Sequence, residues 1–257
     1  MDGTTQKVTT ERRGYALIIT INRPGARNAV DLETAVQMEA AIDLLDADND
    51  LRVGIVTGAG GTFSAGADLK AAARGESGIT ERRGGFGAFE RPSIKPMIAA
   101  VEGFAVGGGF EMCLSCDLIV AARSAKFGLP EVRHNVVAVG GALFRLQKRM
   151  PYNLATELAL TGRFEGAEFF HHWGVVNRLA DEGKAVDVAL ELAEEILVNG
   201  PTAVWASREI MFQSNNWTEK EAWTLQWDLA RPALDSDDSK EGLRAFAEKR
   251  KPEWKGR

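Results

Sequence analysis

Short apolar runs alternate with glycine-rich turns and helical patterns between residue 15 and about residue 122. Apolar runs of this length, bounded by turn residues, are typical of buried strands. The predicted strands are residues 15–21, 52–57, 97–101 and 117–122. The first half of the chain is therefore expected to hold several buried strands.

A helix is predicted between the first two of these strands, over residues 31–46. Asp31 precedes the helical pattern and is a typical N-cap, because its carboxylate can accept a hydrogen bond from a free N–H of the first turn. The apolar positions of this helix are Leu32, Val36, Ala40 and Leu44.

Beyond residue 187 the chain shows helical patterns only. The first helix, 187–199, is predicted to stop at Gly200 and Pro201, since glycine ends helices and proline begins the next one. Residues 218–221 and 238–241 both have the spacing of a capping box, although Asp replaces the usual Ser or Thr in the second. We therefore divide the chain into a core with the active site, residues 1–190, and a helical segment, residues 191–257.

The helical segment is rich in tryptophan. Four tryptophans lie close together in it: Trp205, Trp217, Trp223 and Trp227. They carry more aromatic surface than so short a segment can bury alone, so packing against the core or another subunit is expected.

Residues 71–91 are rich in Gly, Arg and Glu and show little periodicity, which predicts a mobile loop. The loop directly follows a glycine turn at 66–68, so it is either a lid over a binding site or a plain disordered insertion. Its arginines are candidates for a local anion site.

Length and charge narrow the classes of protein. The 257 residues fit one large domain, or one domain with a small appendage. The net charge of −5 disfavours general nucleic-acid binding. No apolar stretch is long enough to span a bilayer, and residues 1–13 lack a signal-peptide apolar region. The simplest expectation is a cytoplasmic protein that binds neither nucleic acid nor membrane.

The only cysteines, Cys113 and Cys116, form a Cys-x-x-Cys pair. This spacing occurs in redox pairs and in half-sites for metals. No second cysteine pair accompanies it, and two small residues one helical turn apart in an apolar segment favour core packing. We expect no metal site here.

Three turns combine small residues with a charged one. They are residues 63–68 (Phe-Ser-Ala-Gly-Ala-Asp), 106–111 (Val-Gly-Gly-Gly-Phe-Glu) and 127–131 (Phe-Gly-Leu-Pro-Glu). Glycine lets a ligand approach the backbone, and helices that start at such turns direct free N–H groups at developing negative charge. Two carboxyl groups in one pocket repel, so one keeps its proton near neutrality while the other is ionised. Glu111 and Glu131 are thus a candidate acid–base pair. Asp68 is expected to hold its own turn through main-chain N–H groups.

Six segments in this order resemble the crotonase (enoyl-CoA hydratase) superfamily, and the similarity runs from about residue 15 to residue 254. The segments are 22–29, 58–70, 99–111, 116–121, 127–131 and 241–250. The resemblance implies an α/β fold, a spiral of β-β-α turns followed by a C-terminal helical trimerisation segment. It further implies a homotrimer or a dimer of trimers.

The resemblance also implies the substrate and the site. The substrate is an acyl-coenzyme A thioester, with no separate cofactor, since coenzyme A is part of the substrate. The oxyanion hole for the thioester oxygen comes from the main-chain N–H groups of Ala67 and Gly108, and Glu111 and Glu131 match the acid–base positions. The implied coenzyme A contacts are Ala26, Arg27, Asn28, Ala65, Asp68, Leu69 and Lys70, with Phe246 and Lys249 approaching coenzyme A bound to a neighbouring subunit.

The expected reaction is syn addition of water to a trans-2-enoyl-CoA, in fatty acid metabolism. The alternatives are a dehydratase of a specialised hydroxyacyl-CoA, an enoyl-CoA isomerase, and a non-catalytic acyl-CoA-binding protein. The stretch 132–141 lacks the proline that many family members carry before their paired glycines, which leaves the preferred acyl group open. His134 in this stretch either lines the pocket or is an ordinary packed or solvent-exposed residue.

Overall fold

The computed structural model describes residues 6–257. Its strands are β1 (Val8–Arg13), β2 (Ala16–Ile21), β3 (Val53–Gly58), β4 (Ile79–Thr80), β5 (Gly84–Gly85), β6 (Met97–Val101), β7 (Phe104–Val106), β8 (Leu118–Ala122), β9 (Lys126–Gly128), β10 (Phe164–Gly166) and β11 (Arg178–Ala180). Its helices are α1 (Leu32–Ala47), α2 (Leu69–Ala73), α3 (Gly108–Ser115), α4 (Ala142–Arg145), α5 (Tyr152–Thr161), α6 (Ala167–His172), α7 (Ala185–Leu197), α8 (Pro201–Gln213), α9 (Glu219–Leu234) and α10 (Asp237–Glu248). Among the short 3₁₀ turns, the one at Pro130–His134 belongs to the site.

A six-stranded sheet forms the centre of the molecule, in the order β1-β2-β3-β6-β8-β11. β1 is antiparallel to β2, and the other neighbours are parallel. Parallel strands that are covered on both faces have continuous apolar sequences, which makes β2, β3, β6 and β8 recognisable. The four predicted strands are confirmed.

Helices cover both faces of this sheet. On one face, α1 and α3 pack Met38, Leu45 and Phe110 into the larger apolar cluster. On the other face, α7 packs Ala189 and Ala193 against β3 and β6. The predicted boundary at residue 190 falls inside α7, so the start of the predicted helical segment is joined to the core. The division itself stays a prediction.

The chain alternates between two sheets as it proceeds. β6 lies in the central sheet, β7 lies in a three-stranded sheet of order β10-β9-β7, and α3 follows. β8 and β9 repeat this step and lead into the turn Pro130–His134. After β3, Ser64 forms an isolated parallel bridge with Ala105 of β7. These repeats place the three charged turns beside one another.

Helix α1 is confirmed, but its predicted apolar face is not the buried one. Asp31 is the N-cap, and its side chain accepts a hydrogen bond from the N–H of Thr34 at 2.9 Å. Leu32, Val36 and Leu44 are exposed, at 42%, 52% and 46%. The buried face is Thr34, Ala35, Met38, Ala41, Ile42 and Leu45. Both faces carry apolar residues, so periodicity alone could not tell which face meets the sheet.

The segment 71–91 is more ordered than its composition predicts. It contains the end of α2 and the antiparallel hairpin of β4 and β5. Phe86, Ala88 and Phe89 in it are buried. The prediction of a loop without regular structure is therefore wrong, because a short hairpin held by a few aromatic side chains leaves no periodic signal.

The arginines of this segment pair with α1. Arg82 contacts Glu39 at 2.7 Å, and Arg83 contacts Asp43 and Asp46 at 2.7 Å each. Their charges are balanced by carboxylates of the same chain. The local anion site expected from these arginines is thus not formed at Arg82 and Arg83.

The C-terminal helices confirm one capping box and correct the other. Thr218 and Glu221 form a reciprocal capping box at the start of α9. At α10 the N-cap is Ser236, whose side chain accepts from the N–H of Ser239. Asp238, the predicted cap, is buried and accepts hydrogen bonds from the N–H groups of Lys255 and Gly256 instead.

Three of these tryptophans divide into two sets. Trp205 is half-buried, donates from its indole N–H to the carbonyl of Arg52 at 3.3 Å, and lies against the Lys95 ammonium at 4.8 Å. Trp223 and Trp227 remain 68% and 52% exposed. Packing against the core is therefore confirmed for Trp205, and within residues 6–257 it is not found for Trp223 and Trp227. Among residues 6–257, no helix is both long and apolar enough to cross a membrane.

Candidate active site

The loop after β3 lies against the chain that enters α3. The Ser64 N–H donates to the Phe104 carbonyl at 2.9 Å, and the Val106 N–H donates to the Ser64 carbonyl at 3.0 Å. A Cβ on Gly66 would stand 2.9 Å from the Val106 oxygen and 3.1 Å from the Gly108 nitrogen. The backbone on either side of Gly66 is therefore in close contact with the first residue of α3.

Two main-chain N–H groups in this contact are free. Gly108 is the first residue of α3, where N–H groups have no partner inside the helix. In the bridge between Ala67 and Val30, the hydrogen bonds are made by the carbonyl of Gly66 and the N–H of Asp68, so the N–H of Ala67 takes no part. Within residues 6–257, neither N–H donates to a protein acceptor. Two such donors, with a helix N-terminus behind one of them, can stabilise an oxyanion.

Glu111 lies in the first turn of α3 and is only 4% exposed. Its Oε1 accepts a hydrogen bond from the Ala142 N–H at 3.2 Å. Burial raises the pKa of this carboxyl, and the nearby charge of Glu131 raises it further. The hydrogen bond from the Ala142 N–H acts in the opposite direction and lowers the pKa. A glutamate at a helix start is usually a solvated residue. Glu111 is instead a buried group with a perturbed pKa, as at many catalytic sites.

Glu131 lies in the 3₁₀ turn after β9, and its carboxyl group approaches Gly107, the residue before α3. A Cβ on Gly107 would stand 2.9 Å from Glu131 Oε1. The second oxygen, Oε2, is buried and accepts no hydrogen bond within residues 6–257. Burial raises the pKa of this carboxyl. Glu131 thus presents an unpartnered oxygen beside the residue that precedes α3.

Phe86 and Phe89 of the segment 71–91 form a wall of the site, and no sequence motif pointed to them. Their ring centroids lie 4.8 Å apart. A Cβ on Gly108 would stand 2.5 Å from Phe86 Cζ, so Phe86 packs directly on the free N–H region. Phe89 packs against Gly140, on the Glu111 side. The spacing Phe-Gly-Ala-Phe in a segment otherwise rich in charge was the only available signal.

The segment 26–28 is tied to the loop at 65–68. The Ala65 N–H donates to the Arg27 carbonyl at 3.0 Å. Asn28 is fully buried, and its side-chain amide donates to the carbonyls of Ala59 at 2.8 Å and Thr62 at 2.6 Å. The side chain of Asn28 therefore shapes this loop and has no free group for a ligand. Ala26 is half-buried and Arg27 exposed.

The predicted role of Asp68 in its turn is confirmed. Asp68 is the N-cap of α2, and its Oδ1 accepts from the N–H groups of Lys70 at 3.0 Å and Ala71 at 3.1 Å. Its Oδ2 pairs with Arg23 at 2.9 Å. The residues around it that form an exposed row beside the free N–H groups are Ala65, Ala67, Leu69 and Lys70.

The remaining candidates are either exposed at the surface or buried in the core. Phe246 is 86% exposed near the end of α10, and Lys249 is the exposed residue that ends this helix. Their approach to coenzyme A of a neighbouring subunit stays a prediction. His134 is exposed. Cys113 and Cys116 are buried free thiols, which confirms core packing. Within residues 6–257, no group of three or more His, Cys, Asp or Glu side chains could hold a metal ion.

Comparison with known proteins defines the class. Residues 11–257 match the family described as enoyl-CoA hydratase/isomerase. The structure superposes on an enoyl-CoA hydratase from Mycobacterium tuberculosis H37Rv with a TM-score of 0.95, at 50% identity, covering 98% of this chain and 100% of that one. The crotonase-like α/β fold expected from the sequence is confirmed, and the chain belongs to the enoyl-CoA hydratase/isomerase family.

Curated relatives narrow the type of enzyme. The enoyl-CoA hydratase EchA19 of Mycobacterium tuberculosis is 42% identical over 254 residues, 96% of each chain. The carnitinyl-CoA dehydratase of Escherichia coli K12 is 43% identical over 255 residues, 96% of this chain and 97% of that one. The chain is therefore an enzyme of the hydro-lyase type, a crotonase-family hydratase or dehydratase. This confirms the expected class of activity.

Proposed function

We propose that this enzyme is an enoyl-CoA hydratase, which adds water reversibly and syn to a trans-2-enoyl-CoA and yields a 3-hydroxyacyl-CoA. The observation that carries the proposal is the pair Glu111 and Glu131. Burial raises the pKa of both carboxyl groups, and the charge of Glu131 raises the pKa of Glu111 further. A hydration needs one base and one acid in a single pocket, and two such carboxyl groups supply both.

In this proposal the free N–H groups of Ala67 and Gly108 hold the thioester oxygen. Glu111 orients a water molecule and takes its proton as the water oxygen bonds to C3. The electrons of the double bond move toward the thioester oxygen, where the two donors stabilise the charge, each by on the order of 10²–10³ in rate. Glu131 then gives a proton to C2. Exchange with solvent returns both carboxyl groups to their starting states, and no separate cofactor takes part.

A dehydratase of a specialised hydroxyacyl-CoA is the second candidate. The carnitinyl-CoA dehydratase at 43% identity favours it, and the same two carboxyl groups catalyse the reaction in reverse. An isomerase needs only one carboxyl group as a proton shuttle, so the presence of two favours hydration over isomerisation.

The reaction is tested with trans-2-enoyl-CoA thioesters of different lengths and polarities in ¹⁸O-labelled water. A hydratase places the label on the 3-hydroxyl group of the product. An isomerase moves the double bond without incorporating oxygen, and that product would replace the hydratase proposal. Turnover of a carnitinyl-type thioester alone would favour the specialised dehydratase. Full turnover after treatment with a metal chelator is expected, because neither proton transfer requires a metal.

The oxyanion assignment is tested by binding. Acetoacetyl-CoA carries the thioester oxygen that Ala67 and Gly108 are proposed to hold, whereas free coenzyme A lacks it. Calorimetry is expected to show tighter binding of acetoacetyl-CoA. Equal affinity for both compounds would contradict the assignment of these two donors.

We also propose a homotrimer or a dimer of trimers built on the C-terminal helices. The support is apolar surface left open there, with Trp223 at 68%, Leu243 at 72% and Phe246 at 86% exposure. Contiguous exposed apolar surface marks interaction sites. Sedimentation at micromolar concentration is expected to give a trimer or hexamer, and a fully active monomer would contradict this proposal.

A further inference from the structure

Arg145 forms a clamp on the turn that faces Glu111. Its Nη1 donates to the Gly140 carbonyl at 3.1 Å and its Nη2 donates to the Phe89 carbonyl at 2.5 Å. Its own N–H donates to the Gly141 carbonyl at 3.0 Å. The planar guanidinium thereby joins the segment 71–91 to the turn that begins α4, in a fork geometry that a lysine cannot reproduce.

The clamped turn is the one that holds the carboxylate of Glu111. The Ala142 N–H donates to Glu111 Oε1 at 3.2 Å. On the other oxygen, a Cβ on Gly140 would stand 2.5 Å from Glu111 Oε2. The carboxylate therefore lies against two residues of a turn whose position Arg145 fixes. Arg145 itself donates no hydrogen bond to Glu111.

We propose that Arg145 is a positioning residue of the active site, which fixes the orientation of Glu111 through the turn Gly140–Ala142. This inference rests on the proposed function, since the orientation matters because Glu111 must direct a water molecule at C3. A displacement of about 1 Å in such a group can cost roughly 10²-fold in rate. Arg145 also holds the main chain of Phe89. The same side chain therefore positions both the aromatic wall of the site and Glu111.

The charge of Arg145 acts on the same carboxyl. The groups that act most strongly on Glu111 are Glu131, whose charge raises its pKa, and Arg145 and the N–H groups of Ala142 and Gly140, which lower it. Removing the guanidinium is therefore expected to raise the pKa of Glu111. A base must be ionised to act, so the acid limb of the kcat profile is expected to move to higher pH.

The test compares Arg145→Gln with Arg145→Lys. In R145Q we expect kcat for trans-but-2-enoyl-CoA to fall by about 10-fold to 100-fold, with KM changed by less than about 3-fold. In R145K the charge remains but the two carbonyls cannot be bridged, so the acid limb should return to its wild-type position while kcat stays low. A lysine variant with wild-type kcat would overturn the positioning role.

Arg149 provides a matched control. Its Nη2 donates to the carbonyls of Leu114 at 3.0 Å and Cys116 at 2.7 Å. It is thus a second largely enclosed guanidinium on two main-chain carbonyls, at the opposite end of α3 from Glu111. Arg149→Gln is expected to lower thermal stability without moving the titration of Glu111. If R149Q moved that titration as R145Q does, Arg145 would have only a general structural role.

A measurement that needs no turnover separates this inference from the proposed function. The side-chain carboxyl of Glu111, labelled with ¹³C and assigned with Glu111→Gln, is titrated by NMR in wild type and variants. We expect its titration at higher pH in R145Q, and an unmoved titration would overturn the inference. If wild type failed to hydrate any enoyl-CoA, the proposed function would fail while this titration still decided the role of Arg145. Should R145Q not fold, R145K serves alone, with loss of kcat as the expected result.

Discussion

The two glutamates of the site stand in different surroundings. Glu111 is enclosed, with an N–H of Ala142 on one oxygen and Gly140 against the other. Glu131 lies on a short 3₁₀ turn, and its buried Oε2 accepts no hydrogen bond within the described chain. Burial raises the pKa of both carboxyl groups. Only for Glu111 do groups of other residues, the Ala142 N–H and the Arg145 guanidinium, favour the ionised form.

This difference supports the two chemical roles proposed for the glutamates. A carboxyl group whose charged form is supported by N–H donors and by Arg145 is suited to be the ionised base. A carboxyl group with a buried oxygen and no donor on it is suited to keep its proton and deliver it. When Glu131 is protonated, its repulsion of Glu111 disappears, so each state favours the other. The comparison therefore supports Glu111 as the base and Glu131 as the acid.

The largest expected effect comes from removing either proton carrier. Glu111→Gln and Glu131→Gln nearly preserve shape, and each is expected to lower kcat by on the order of 10²-fold or more. The double variant should lose less than the product of the two single losses, because both residues serve one hydration. Steady-state kinetics, with binding of acetoacetyl-CoA as the check on folding, measures this. Wild-type turnover in either single variant would remove that residue from the mechanism.

The two glutamates could be predicted from the sequence, but the difference between their surroundings could not. Both glutamates, the glycine turns and the strands that lead to them were recognisable, because local turn chemistry and buried parallel strands leave strong patterns. The enclosure of Glu111 was not, since it depends on Ala142 and Arg145, more than thirty residues further along the chain. Contacts between distant segments have no local signal.

Three other differences from the prediction have the same cause. The exposed face of α1 and its buried face both carry apolar residues. Which face is buried therefore depends on how the helix packs on the sheet, and the helix sequence alone does not determine it. In the segment 71–91, Arg83 pairs with Asp43 and Asp46 of α1, and this pairing orders a stretch whose composition resembles a mobile loop. Asp238 likewise has the spacing of a cap but binds the C-terminal backbone.

A smaller effect is expected from adding a methyl group beside each carboxyl. Gly140→Ala places a Cβ 2.5 Å from Glu111 Oε2 and closer still to Phe89 Cε2, and Gly107→Ala places one 2.9 Å from Glu131 Oε1. Displacing the Glu111 carboxyl together with Phe89, or the Glu131 carboxyl, should in each case lower kcat by about 10-fold. G107A should also lose about 1–3 kcal/mol of stability, because Gly107 has a φ of +56° and a ψ of −125°, a backbone conformation that residues with a Cβ rarely adopt.

Controls separate displacement from backbone strain. Gly14 also has a positive φ, +58°, and no atom within 4 Å of a built Cβ, so Gly14→Ala adds a side chain at positive φ without such a contact. A Cβ on Gly166 would meet only the Lys126 ammonium, at 3.5 Å, with no positive φ. Both control variants are expected to keep wild-type kcat. If G14A lost activity as G107A does, backbone strain and not the position of Glu131 would explain the effect.

The smallest expected effect is on stability, and its sign follows from the raised pKa values. A carboxyl group whose folded pKa lies above its unfolded value stabilises the fold at low pH, and this contribution is lost as pH rises through the folded pKa. Both glutamates therefore oppose folding at neutral pH. E111Q and E131Q should melt a few degrees above wild type at pH 7, and this difference should vanish below pH 4.5, the ordinary pKa of a glutamate.

Glu221 is a control with the opposite expected sign. The N–H and hydroxyl of Thr218 lower its pKa, so Glu221→Gln should lower the melting temperature at pH 7. Melting curves from pH 4 to pH 8 measure all three, and a neutral or negative shift for E111Q would mean that its carboxylate is fully compensated by the Ala142 N–H and Arg145.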